Sequence, residues 1–437
     1  MDEMTAECYT GLLDCLKVKM TSHRFMTEHR RSAKDFSRKR CLTFVIVLVF
    51  LMNMIKRALQ DELDEFFKGF SAEPVACRRV SKSAFTQARQ KLKHTAFIAL
   101  NAEQMHYFYD HFDVLQFNGL RLLAFDGSMV DLPHTPKVCQ HFGVWHPAAG
   151  GTCPKARISQ MFDVQNRVTI EALIAPKSFG ERSLAIKHCQ HLRPMDLVLL
   201  DRGYPAFWLF AAIKAKSADF CARMPIGKWK VVEQFVAPLR GAEQIVELQP
   251  DYRARKACHP LKLSTQPLTV RLIRLQLENG DLCVLATSLV DTSLYPYSFF
   301  TTLYPHRWPV ETDYRQMKLR LEVENWSGTS VEAIYQDFHA TIFTKNLASL
   351  LAQPAQKVVA EKTKSNTHGY QVNMANLFSK MKDTVVFLLT FANPLPVLHR
   401  LWLQMTQTIE PIRTNRAFQR NKRLKPRRFS MSYKPLR

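Results

Sequence analysis

Up to about Asn118, apolar residues recur at intervals of three and four with few glycines between them, which predicts helices. DELDEFFKGF (61–70) and SKSAFTQARQKLKHTAFIALNAEQMHYFYDHF (81–112) carry this pattern, and Ser81 or Ser83 offers an N-cap to the second. The most apolar run, Leu42–Ile55, is bracketed by Arg40 and Lys56. A membrane-spanning helix needs roughly 20 apolar residues, so this shorter run reads as a buried helix and no membrane is expected. It also lies too deep, behind too many charges, for a secretory signal.

From about Leu120 the pattern changes to short apolar blocks. RLLAFDG (121–127), ISQMFDV (158–164) and VTIEALIAP (168–176) read as strands, the last two joined by a hairpin turn at Gln165-Asn166-Arg167. ERSLAIKHCQHL (181–192) reads as a helix, DLVLLDRGY (196–204) as a fully buried strand, PAFWLFAAIKAK (205–216) as a helix and DFCARM (219–224) as a strand. A meander running on into strand–helix alternation predicts a mixed sheet flanked by helices. After Met224, KWKVVEQFV, EQIVEL, LTVRLIRLQL and LCVLATSLV all read as strands, with a hairpin turn at Glu278–Asp281 between the last two. A helix then starts at Pro309, a residue suited to the first helical position, and runs to Glu324. Further helices are predicted at Val331–Leu351, Val372–Phe391 and Leu398–Ile409.

Charge narrows the partner. Lys and Arg number 61 against 38 Asp and Glu, a net charge of +23. Such an excess favours a polyanion, nucleic acid or an anionic surface. Basic residues concentrate at Arg30, Arg31, Lys34, Arg38, Lys39 and Arg40, and again in Arg413–Arg437, which has ten bases and no acid. The ten cysteines form no C-x-x-C pair, so reduced thiols are expected rather than a disulfide framework. Cys139, His141, His146 and Cys153 are zinc-type residues, but their spacing fits no finger pattern.

Two predicted strands run into an acid beside a glycine: Asp126-Gly127 and Asp201-Arg202-Gly203. Acids there face a crevice that a ligand can enter, although many such acids only begin turns. On the Pro309 helix, Tyr304, Arg307, Glu311 and Lys318 follow the spacing Y-x2-R-x3-E-x6-K. Glu311 and Lys318 share one helix face, which Tyr314 and Arg315 border. An acid among bases suits a phosphate-handling surface, and equally a solvated helix laced with ion pairs.

Taken together, the D-G strand followed by LPHTP and Phe142-Gly143, the LLDRGY strand, and the Y-R-E-K set resemble the DDE transposases of bacterial insertion sequences, in the insertion sequence 4 family. The N-terminal FSRKRCLTF and SKSAFTQARQKL resemble that family too. The resemblance implies an α/β catalytic core with a ribonuclease-H-like mixed sheet, interrupted by a β-rich insertion at about 225–300, between helical N- and C-terminal regions. It divides the chain into a helical DNA-binding region (1–118), a catalytic domain (119–353), a helical C-terminal region that joins two protomers (354–412) and a basic tail (413–437). Asp126, Asp201 and Glu311 match the catalytic, metal-holding acids. Tyr304, Arg307 and Lys318, with Arg315 beside them, match positions that hold phosphates near the transposon end. Arg38, Lys39 and Arg40 would help bind the terminal repeats.

Three acids suffice because two Mg²⁺ ions, or Mn²⁺ in their place, take oxygen ligands, keep several waters and acidify one of them. Ser128, Asp131, Asp163, Glu171 and Asp313 read as supporting polar residues. The implied partners are double-stranded DNA, as transposon ends and target, and a second copy of the chain in the DNA complex. The implied setting is the bacterial cytoplasm, at the nucleoid. Two other readings stand beside it: a repressor that binds the repeats without catalysis, and a ribonuclease-H-fold nuclease that cuts without strand transfer.

Overall fold

A computed structural model describes residues 3–69, 75–146, 152–237, 241–276, 280–412, 429 and 434. Most of the basic tail and the Glu278-Asn279 half of the second hairpin turn lie outside the described residues. The chain forms two compact units. One comprises Val114–Met129 and Ala156–Tyr314; the other comprises Met1–Asp113, Val130–Lys155 and Arg315–Arg437.

The first unit is built on a sheet. Its strands are β1 (Arg121–Asp131), β3 (Cys153–Asp163), β4 (Val168–Pro176), β5 (Asp196–Leu200), β6 (Asp219–Met224), β7 (Glu243–Leu248), β8 (Leu268–Gln276) and β9 (Leu282–Thr287). Short β2 (Val144–Trp145) pairs with the start of β3, Cys153–Pro154, inside the other unit. Among the described residues the order is β4-β3-β1-β5-β6-β9-β8-β7. β3 and β4 form the predicted hairpin, in which Asp163 accepts the N–H groups of Gln165 and Asn166, and Arg167 takes a left-handed conformation. β1, β5 and β6 run parallel, and the crossover from β5 to β6 is the helix Phe207–Lys214. Every residue of β5 is buried, as a continuous DLVLL run requires. Leu123, Phe125, Val198, Leu200, Phe210 and Ile213 belong to one hydrophobic core on this sheet. A meander extended by parallel strands through a crossover helix is the ribonuclease-H-like mixed sheet.

The insertion extends this sheet. β9 pairs antiparallel with β6, and β8 and β7 follow. Two corrections apply. KWKVVEQFV is not a strand: Lys230–Val236 is helical and buries Val232 and Phe235, three apart. Its β-branched pair suggested a strand, but tertiary packing overrides that propensity. Tyr252–Cys258 adds a second helix, capped by Asp251, whose side chain accepts the Ala254 N–H.

A buried ion pair fixes the register of the central strands. Arg121 and Asp196 begin β1 and β5 opposite one another, and the guanidinium grips the carboxylate with two hydrogen bonds of 2.7 Å. The register runs on to Phe125 opposite Leu200. β5 stops there, whereas β1 continues to Asp131, so the acid of RLLAFDG does not end its strand as the sequence suggested.

The other unit is helical, and it departs from the sequence reading at four places. The predicted 81–112 helix is two, Lys82–Arg89 and Thr95–His111. The break serves pairing: Arg31 N–H donates to Lys91 O, and Lys93 N–H to His29 O. The Pro309 helix ends at Leu319, where Arg320 and Leu321 both donate back to Gln316 O and Glu322 turns left-handed. Val331–Lys362 does not stop before Pro354 but runs through it. Proline leaves the Leu350 carbonyl without its helical donor, and the Tyr9 hydroxyl fills that role at 2.9 Å. Finally, Met374–Thr390 is kinked at Lys382 and Asp383. There Lys382 reaches the buried Glu62 at 2.7 Å, and Asp383 exchanges two hydrogen bonds with Asn53. The Leu42–Ile55 run contains a nine-residue buried helix, Phe44–Met52, and no helix of the described residues is long and apolar enough to cross a membrane.

Removing one partner of a buried, bidentate pair leaves an uncompensated charge. Asp196→Ala is expected to cost about 3–5 kcal/mol in urea unfolding, whereas Arg121→Met with Asp196→Leu should recover most of that loss. A loss as large in the double variant would show that the single-variant loss does not come from a stranded charge.

Candidate active site

One register step beyond Phe125 and Leu200 come Asp126 and Asp201. Residues level with one another on adjacent parallel strands face the same side, so the pairing brings these acids together at the point where β5 ends. Gly127, beside Asp126, has close neighbours. A Cβ there would lie 3.2 Å from Glu181 Cγ, 3.4 Å from the Ile158 carbonyl and 3.4 Å from the Tyr204 hydroxyl. The Gly127 N–H donates to the Asp126 carboxylate at 2.9 Å.

Glu311 comes from the first turn of the helix Pro309–Leu319, where the dipole favours its charge. Arg307, four residues earlier in the 3-10 turn Tyr304–Arg307, donates to the Glu311 carboxylate at 2.7 Å. Arg307 is only 4% exposed, stacks on the half-exposed Trp308 ring, and its Nε has no partner among the described residues. The hydroxyls of Tyr304 and Tyr204 are likewise buried and unpartnered. Native proteins satisfy nearly all such groups, so three orphans around one pair of acids mark a place built to meet something else.

Electrostatics tie the group together. Burial drives the Asp126 carboxyl up to about 6; the Gly127 N–H and Arg307 pull it back, while Glu311 and Asp201 push it up further. Arg307, Glu311 and Asp201 therefore all act on Asp126. They do not form a closed cage: among the described residues no group of three or more His, Cys, Asp or Glu side chains stands ready to hold a metal ion. That covers the Cys139, His141, His146 and Cys153 set as well.

Arg315 and Lys318 are counted with the helical unit. Lys318 is half-buried there, and its ammonium pKa is lowered by burial against the pull of Glu324 and Asp131. Asp131 itself pairs with Lys155 at 2.8 Å and accepts the Trp326 indole N–H on its carbonyl. Arg38, Lys39 and Arg40 are exposed in the same unit.

Sequence reasoning missed the supports of Asp126. Its backbone carbonyl accepts the Tyr314 hydroxyl at 2.8 Å and lies 3.4 Å from the Ser159 hydroxyl. Behind Ser159 stands a buried chain: Ser159 Oγ to His188 Nε2 at 2.9 Å, then His188 Nδ1 to Glu171 at 2.6 Å. Burial opposes the Glu171 charge, yet hydrogen bonds from His188 and His191 hold its carboxyl down at about 2. Burial lowers the His188 pKa in turn. His188 thus bridges Ser159 on Nε2 and Glu171 on Nδ1. The order imitates a hydrolase triad, but Ser159 is 0% exposed and no substrate can reach it. Glu171 thus packs behind Asp126 through His188, while Asp163 caps the β3–β4 turn. Ser159 and His188 carried no local signal that could have marked them.

A family model described as "Transposase DDE domain" matches residues 118–347, more than half of the chain and a span that includes Asp126, Asp201 and Glu311. The chain belongs to that family. It is 24% identical over 358 residues to the transposase InsG for insertion sequence element IS4 of Escherichia coli (strain K12), covering 80% of this chain and 78% of the relative. Among solved structures, it is similar to the piggyBac transposase synaptic complex with hairpin DNA, at 11% identity and a TM-score of 0.47, over 91% of this chain and 84% of that one. The protein is thus a DNA transposase of the insertion sequence 4 type, a DNA-cleaving enzyme from a family whose chemistry uses divalent metal.

The raised Asp126 pKa has a consequence for stability. Unfolded, an aspartate ionises near about 3.9. Because the folded value is higher, burying the charge destabilises the protein fully above about pH 6 and not at all below the unfolded value. In metal-free buffer, Asp126→Asn is expected to raise stability at pH 7.5 by on the order of 2 kcal/mol, with the gain gone by about pH 4. A gain that does not change with pH would show that Asp126 is not perturbed.

Proposed function

We propose that this transposase binds the terminal inverted repeats of its element and performs metal-dependent cleavage and strand transfer with Asp126, Asp201 and Glu311. The observation that carries this reading is the register that leaves Asp126 and Asp201 level at the end of β5, with Glu311 in the same electrostatic neighbourhood. The donor set fits Mg²⁺, or Mn²⁺ in its place: hard oxygen ligands, few in number, completed by water and substrate phosphate. The ions supply an acidified water and charge neutralisation at a phosphodiester.

The side chains divide the remaining work. Asp126 and Asp201 would hold the metal at the point where β5 ends. Glu311 turns from Arg307 to join them, which frees the guanidinium. Arg307 then grips phosphate oxygens, its unpartnered Nε included, with the two-pronged geometry that suits them. Tyr304 donates its unpartnered hydroxyl to the same backbone. Lys318 and Arg315 offset phosphate charge further along the end. The helices between Val372 and Ile409 join two protomers, so that two transposon ends are cut and joined together. The protein acts in the bacterial cytoplasm, at the nucleoid.

Sequence-specific end binding is assigned to the helical N-terminal region. A cavity of about 570 Å³ there is lined by Lys34, Arg38, Arg40, Arg79 and Lys91, and among the described residues Asp35 is the only acid on its wall. Lys39 does not line it, and Arg79 and Lys91 are additions to the cluster read from the sequence. A basic concavity of this size suits a DNA backbone, with an adjacent helix left to read bases.

With Mg²⁺ and a DNA carrying the element's ends, joined products are expected, and Asp126→Asn or Glu311→Gln should lower their yield on the order of 10³-fold or more. Binding without cleavage by the wild-type protein would favour the repressor reading, and cleavage without joining the nuclease. For the cavity, Arg79→Gln and Lys91→Gln should each reduce the slope of log affinity against log salt by about 1, equally for cognate and unrelated DNA. An unchanged slope in both would remove the cavity from the binding surface.

A further inference from the structure

We infer that Tyr314 is a positioning residue: its hydroxyl holds the helix that bears Glu311 against the backbone of Asp126, so that this hydrogen bond helps to set the two acids relative to each other. The inference rests on the metal-holding role proposed for the three carboxylates.

Tyr314 lies three residues after Glu311, on the adjoining helix face. Its side chain is 6% exposed, and its hydroxyl donates to the Asp126 carbonyl at 2.8 Å. Beyond Phe125, β1 has no ladder partner in β5 and keeps only β3 as a neighbouring strand, so the Tyr314 contact adds to what one strand supplies at Asp126. The neighbouring residue ties the same helix to β3. Gln160 Nε2 donates to Asp313 at 3.1 Å, and Gln160 Oε1 in turn accepts the Thr169 hydroxyl of β4 at 2.5 Å. Asp313 is 5% exposed, and Gln160 and Thr169 are fully buried. Two consecutive residues of one helix therefore dock it, one on β1 and one on β3, within the turn that presents Glu311. Lost at Tyr314, the helix keeps its packing and its Asp313 tie but can rotate about that tie. Glu311 then no longer meets the aspartate pair at a fixed distance.

Tyr314→Phe keeps the ring and removes only the hydroxyl. In the full-length protein bound to end DNA, Mn²⁺ binding followed by electron paramagnetic resonance is expected to weaken by about tenfold, the scale on which supports behind a metal ligand act. End affinity and melting temperature should hold, and cleavage should recover to near the wild-type rate at saturating Mn²⁺. Unchanged Mn²⁺ binding would overturn the inference, as would a loss of cleavage that is the same at every metal concentration. Should the Phe variant prove insoluble, Asp313→Asn loosens the neighbouring tie and should shift Mn²⁺ binding in the same direction; no shift there overturns the inference. Glu311→Gln, run alongside, separates the two levels. If it binds Mn²⁺ and cleaves as the wild type does, the metal reading fails, whatever Tyr314 does.

Discussion

The alignment of β1 on β5 is the constraint from which the site follows. Two strands that begin level at Arg121 and Asp196 and run parallel must bring the sixth residue of each level as well, and those residues are Asp126 and Asp201. A slip by one residue would turn one acid to the opposite face of the sheet. An apolar core cannot forbid that slip strongly here, because LLAF and LVLL are apolar at every position and bury equally well either way round. The Arg121–Asp196 pair supplies what the apolar runs lack, since a shifted register would strand a charge in the interior. The pair need add little net stability to do this. Its effect is to make the wrong alignments costly.

Around that alignment the sheet and the Glu311 helix are joined by polar contacts in buried places. Hydroxyl, amide and carboxylate groups at Tyr314, Gln160, Asp313 and Thr169 tie helix to strands, while the Glu171–His188–Ser159 chain packs behind Asp126. Such networks are directional, and fully satisfied ones hold a single geometry better than apolar packing does. In front of the acids the balance is reversed. Among the described residues Arg307 Nε and the hydroxyls of Tyr304 and Tyr204 have no partner, and Asp126 carries a raised pKa. Satisfied behind and unsatisfied in front is the pattern expected of a site that completes itself on a charged substrate.

Much of this was legible in the sequence. DLVLL could only be a buried strand, the Gln165–Arg167 turn separated two strands, and the spacing of Tyr304, Arg307 and Glu311 located the third acid on a helix. Most of the misreadings arise where packing or distant partners overrule local pattern. KVVEQFV carries β-branched residues yet packs as a helix. Pro354 marks a helix end until Tyr9, 345 positions away in sequence, covers the freed carbonyl of Leu350. Lys382 and Asp383 break a regular apolar pattern because Glu62 and Asn53 bind them. The supports of Asp126 were invisible for the same reason, since Tyr314 and Asp126 are 188 residues apart.

The central claim is that Asp126, Asp201 and Glu311 form one metal-holding site. Anomalous diffraction at the manganese edge, from crystals of the protein with end DNA and Mn²⁺, tests it most directly. The account predicts manganese peaks within coordination distance of all three carboxylates, with Arg307 moved from Glu311 onto a DNA phosphate. Peaks held by other residues, or a Glu311 still paired to Arg307 with metal bound elsewhere, would contradict it.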